Sequence, residues 1–188
     1  MNLRILKYLW NVAVAATVTY CAYHVFITNK NRLISPFGKN LALVLEARQT
    51  SMAVCPGSNR QMHPELRVAV RAAAAKYDLD QTLLLAVVAT ESACKTDAVS
   101  PKGARGAMQV MPATGAEVGT DELERTYDNV FAGASYLRKM LDQFGDEKLA
   151  LAAYNCGPAC VRRAKGIPKN KETSEYVRKV TKLKKEII

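Results

Sequence analysis

Apolar residues are distributed in two ways along this chain. In the first segment they run together: Tyr8 to Ile27 is a stretch of 20 residues without a formal charge, bracketed by Arg4 and Lys7 before and Lys30 and Arg32 after. As a helix it rises roughly 30 Å, the thickness of a bilayer's hydrocarbon core. Tyr8 and Trp10 at one end, and Tyr20, Tyr23 and Phe26 toward the other, sit where an aromatic belt would be. The bulky run Tyr23 to Ile27 makes a poor cleavage site, and Cys21 lacks a small residue before it. The pattern predicts a short tail over 1–7 and an uncleaved transmembrane signal anchor over 8–27. Residues 28–62 carry turn formers such as Asn29, Pro36, Gly38, Pro56 and Gly57 and read as a stalk or linker.

From residue 63 to 188 the apolar spacing is helical. Pro64 suits a first turn, with Leu66, Val70, Ala73 and Tyr77 on one stripe. Asp80 is placed to cap a second helix, whose apolar face is Leu83, Leu84, Val87 and Val88 and which ends near Glu91-Ser92. Pro112 starts a short helix toward Gly119. Val130, Ala134, Leu137 and Leu141 mark another, beginning near Asp128. Asp146 caps a helix reaching Tyr154, Gly157-Pro158 breaks and restarts the chain, and a last helix starts at about Glu172. No stretch alternates as a strand does, so the fold class is mainly α.

Charge sharpens this picture. The chain carries a formal +10, but residues 1–32 hold +4 and residues 161–188 hold +7, leaving −1 for the middle. A uniformly basic nucleic-acid-binding domain is thereby disfavoured. The basic carboxy-terminal helix suggests a solvated face or attraction to anionic glycan peptides or lipid headgroups. Cysteines 55, 94, 156 and 160 permit three pairings that sequence alone does not choose between. With no Cys-x-x-Cys pair, and His24 and His63 the only histidines, disulfides are expected rather than a metal site.

Glu91, at the end of an apolar helix, carries little information alone. Its company carries more. Glu91-Ser92, then Ser100-Pro101-Lys102-Gly103-Ala104-Arg105-Gly106-Ala107-Met108-Gln109-Val110-Met111-Pro112, then Ala153-Tyr154-Asn155-Cys156-Gly157-Pro158, then Glu172-Thr173-Ser174-Glu175-Tyr176-Val177 together resemble the catalytic domain of lytic transglycosylases, lysozyme-like enzymes that cut peptidoglycan. The resemblance implies a lysozyme-like helical domain with a catalytic cleft over 63–188. It matches Glu91 to the catalytic acid/base. Ser100, Gln109, Met111, Tyr154, Asn155 and Tyr176 match substrate-binding positions around it. It also implies peptidoglycan glycan strands as partner, with no metal or organic cofactor. Such a substrate lies outside the bacterial inner membrane, so tail 1–7 is expected in the cytoplasm and the domain in the periplasm or cell wall.

Where the family commonly has an aromatic residue and an Asn-Pro pair, this chain reads Ala93-Cys94-Lys95-Thr96-Asp97. The expectation is that a Cys94–Cys156 disulfide replaces that packing, each cysteine lying within three residues of a catalytic-site element.

Physical chemistry agrees with a solitary carboxyl. Holding a glutamate half protonated at pH 7 against its ordinary value near 4.3 costs roughly 3.7 kcal/mol, and burial on an apolar face supplies that much. Such an acid can protonate the leaving oxygen and then take a proton from the muramic acid C6 hydroxyl, giving a 1,6-anhydro product without water. The alternatives are a lysozyme-type hydrolase, for which Asp97 is the nearby second carboxylate, and a non-catalytic glycan-binding module.

Overall fold

A computed structural model describes residues 53–187. The anchor expected at 8–27 and most of the stalk lie outside them. Among the described residues no helix is long and apolar enough to cross a membrane.

Among the described residues, seven helices follow one another: α1 (Pro64–Lys76), α2 (Gln81–Ser92), α3 (Pro112–Val118), α4 (Thr126–Phe144), α5 (Glu147–Cys156), α6 (Pro158–Ala164) and α7 (Lys171–Ile187). Extended pairing among the described residues is confined to isolated antiparallel bridges. The punctuation is local. The Asp80 carboxylate accepts from Thr82 N at 2.8 Å, and that of Asp146 from Leu149 N at 2.9 Å, satisfying amide groups that a helix start leaves unpaired. Pro64, Pro112 and Pro158 open α1, α3 and α6, where a missing N–H costs nothing. Helix α4 starts two residues ahead of the expected Asp128, without a side-chain cap at Arg125.

Helix α2 is the centre of the domain. All seven residues from Leu83 to Ala89 are buried, rather than the single expected face. Helix α7 packs on one side and α1 on another, and a helix apolar all round has no face to give to water. Helix α7 is the opposite case: Tyr176, Val177, Val180 and Leu183 face inward while its other side is charged.

Residues 53–62, the end of the segment read as stalk, fold onto this domain. Val54 pairs with Gln61, and Cys55 and Met62 enter the core. Cys55 forms a disulfide with Cys94, and Cys156 pairs with Cys160. The expected Cys94–Cys156 pairing is therefore corrected. The turn over 55–60 carries Cys55 to the end of α2, while Cys156 and Cys160 stand one helical break apart across Gly157-Pro158.

Candidate active site

Glu91 occupies the last turn of α2. Beyond it the backbone leaves the helix through two consecutive left-handed residues, Ala93 (φ 51°) and Cys94 (φ 60°), a conformation costly for residues with a Cβ. The Cys55 disulfide holds the second of them. Ser92, beside Glu91, donates from Oγ to Ala107 O at 2.9 Å, so the same helix end pins the loop that forms the opposing wall.

That loop, 98–111, is fixed almost atom by atom. Met108 is fully buried; its N–H donates to Asn129 Oδ1 at 2.9 Å, and its carbonyl accepts from the Tyr154 hydroxyl at 2.9 Å. Asn129 Nδ2 donates to Arg105 O at 2.7 Å and Leu123 O at 3.0 Å. Gly106 lies against that Asn129 side chain with φ +70°, and a Cβ there would collide with it; only glycine fits both demands. Gln109 takes a left-handed φ of 47°, and its Nε2 donates to Ala98 O at 3.1 Å and Gly106 O at 2.9 Å. Ser100 Oγ accepts from Ala104 N at 3.0 Å.

The result is one cleft of about 570 Å³, lined by Glu91, Ser100, Gln109, Met111, Tyr154 and Asn155 among others. Met111 is 41% exposed, an apolar surface turned to solvent at its edge. Asn155 Oδ1 accepts from Thr173 Oγ1 at 2.9 Å, which ties the end of α5 to the start of α7. Tyr176 is behind rather than in the wall: buried on α7, its hydroxyl has no well-formed hydrogen bond and acts on the Glu91 carboxyl.

These surroundings set the acidity of Glu91. Burial pushes its carboxyl up from 4.5 to about 7, with the Tyr176 hydroxyl and the Lys179 charge pulling the other way. Desolvation wins because it penalises the carboxylate itself, while the opposing groups are few. Tyr154 and Tyr176 are pushed well above the ordinary phenol range, first by burial and then by the Glu91 charge. They remain neutral phenols. A carboxyl with this acidity is able to give a proton at neutral pH and to accept one afterwards.

Asp97, the candidate second carboxylate for a hydrolase, lines a separate groove with Arg60 and His63. The second acid in the cleft is Glu172, exposed at its rim and 3.9 Å from Lys102. Lys102, Thr114, Tyr136 and Glu172 also line the cleft, although the sequence reading gave them no role. Tyr136 packs against Tyr154 with ring centroids 5.6 Å apart. Asn129 carries no cleft surface but organises the wall. Its signal was available: it stands four residues before Gly133 and eight before Leu137, in register with a buried face where a polar residue needs partners.

The Transglycosylase SLT domain family model matches residues 68–177 of this chain. A transglycosylase of Enterobacteria phage PRD1 is 42% identical over 88 residues, covering 47% of this chain and 33% of the phage protein. A membrane-bound lytic murein transglycosylase F of Cellvibrio japonicus is 38% identical over 101 residues, covering 50% of this chain and 20% of its own length. Among solved structures, an inactive mutant of the lytic transglycosylase Slt of Pseudomonas aeruginosa superposes with a TM-score of 0.59 at 30% identity. It covers 64% of this chain and 23% of that one. The chain thus spans about a third or less of the length of these relatives. Helical architecture, cleft and matched span together place it: the chain belongs to the transglycosylase SLT domain family.

Proposed function

We propose that the domain is a peptidoglycan lytic transglycosylase, cutting the bond between N-acetylmuramic acid and N-acetylglucosamine without water. The observation that carries this reading is the carboxyl of Glu91, held near pKa 7 in a cleft where, among the described residues, the other acid is the exposed rim residue Glu172. Relatives named as lytic murein transglycosylases support it.

In the proposed reaction the neutral Glu91 gives its proton to the glycosidic oxygen as the C1–O bond breaks. The positive charge on C1 is met by the muramic acid C6 oxygen, whose proton returns to the Glu91 carboxylate. The product carries a 1,6-anhydro ring and is lighter by one water than a hydrolysis product. Ser100, Gln109 and Asn155 present polar edges to the sugars, and Met111 and Tyr154 an apolar surface. Tyr176 steadies the carboxylate while it is charged, by hydrogen bonding to the ionised form. No step calls for a metal or organic cofactor.

Residues 8–27 serve in this reading as a single-pass anchor in the bacterial inner membrane, with 1–7 cytoplasmic, the chain after 27 a stalk, and the domain periplasmic. The two disulfides support a compartment where thiols oxidise. The deciding experiment digests purified sacculi with the wild-type chain and Glu91→Gln and weighs the products. Anhydro ends from the wild type and none from the variant are expected; hydrated ends, or unchanged turnover in the variant, overturn the reading.

A further inference from the structure

Away from the cleft, the outer face of α7 and the start of α5 enclose a second groove of about 580 Å³. Lys148, Arg178, Lys182 and Lys185 rim it, with Lys182 also 3.6 Å from Glu186; the exposed Ile167 and the edge of the otherwise inward-facing Val177 line it. Arg178, Lys182 and Lys185 repeat at steps of four and three, which keeps them on one side of the helix. The Thr181 hydroxyl, also lining it, is buried without a hydrogen-bond partner. The family reading makes no use of this face.

We infer that this groove docks an anionic phospholipid surface. A phosphodiester headgroup meets the ring of cations, and the apolar part of the lipid covers Ile167 and the aliphatic stems beside it. Charge complementarity alone would admit any polyanion. An apolar floor inside a cationic rim suits an amphiphile, and long Lys and Arg stems spread over such a floor while their charges reach outward. The sequence also brings this partner near. If 8–27 lies in a bilayer, the covalent connection to the domain keeps lipid at high local concentration. The inference rests on the anchor reading for that proximity alone, and not on which bond the cleft cuts.

The test is lysine footprinting of the full-length chain on vesicles of neutral phosphatidylcholine, and on the same vesicles carrying phosphatidylglycerol. Acylation of Lys148, Lys182 and Lys185 is expected to slow several-fold on the anionic vesicles only, with Lys95 unchanged. Each cation near an anionic surface adds about fivefold to partitioning. The double variant Arg178→Gln, Lys182→Gln should therefore need about 25-fold more anionic lipid to protect Lys148 and Lys185, while cutting sacculi at the wild-type rate. Equal acylation on both vesicles overturns the inference. So does protection that requires native membranes and vanishes after protease stripping, which would assign the groove to an acidic protein. A chain that fails to sediment with neutral vesicles refutes the anchor, whereas protection on anionic vesicles still reports on the groove.

Discussion

Glu91→Gln should make the protein inactive and more stable at once. In the folded state burial raises the carboxyl from 4.5 to about 7, so between those values the folded chain holds a proton that the unfolded chain has released. Stability then falls as pH rises through that window and is flat on either side. At 1.36 kcal/mol per pH unit, the full span costs roughly 3 kcal/mol above pH 7. A neutral glutamine of the same shape avoids that cost and still offers an acceptor to Tyr176. Urea titrations of both proteins at pH 4 and pH 8 measure it: near equality at pH 4 and a variant more stable by roughly 3 kcal/mol at pH 8. For a domain of this size that is a rise in Tm on the order of 10 °C. A difference that does not change with pH would show that Glu91 ionises like an exposed acid, and the account of its reactivity would go with it.

The pH profile of turnover should lose activity above about pH 7 as Glu91 gives up its proton. Tyr176→Phe removes a group that favours the carboxylate, so that alkaline limb should move upward. Asn129→Ala strips the partner from Met108 N and Leu123 O, while Arg105 O keeps its bond from Val110 N; at about 1 kcal/mol or more for each buried group left unpaired, it should cost about 2 kcal/mol in urea and lower kcat through a loosened wall. Replacing the Cys55–Cys94 pair by serines should cost about 4 kcal/mol by loop entropy, against about 2 kcal/mol for Cys156–Cys160. The sequence separations are 39 and 4, and stabilisation grows with the closed loop. Comparing the unfolding midpoints of the two double variants checks the order.

What could be read in the sequence was local. Asp80, Asp146 and the helix-opening prolines work within a few residues of chain, so they announce themselves. Glu91, Ser100, Gln109, Met111, Tyr154 and Asn155 were legible as motif residues, and the fold gathers them into one cleft. Long-range choices were not legible. Cys94 joins Cys55 because a short turn packs onto α2, and nothing in either cysteine's neighbours states that. The buried role of Asn129 depends on partners six to 24 residues away. Gln109 reads as a substrate residue, yet two of its hydrogen bonds are spent within its own loop.

The Cys55–Cys94 bond also fixes a route for mechanical force. Tension drawn along the chain from its amino-terminal side enters the domain at the 53–62 turn and crosses a covalent link to a point three residues past Glu91. It does not have to travel through α1 first. A pull from that side therefore reaches the end of α2, beside Glu91, through a covalent link, and reducing that one bond would reroute it through the first helix.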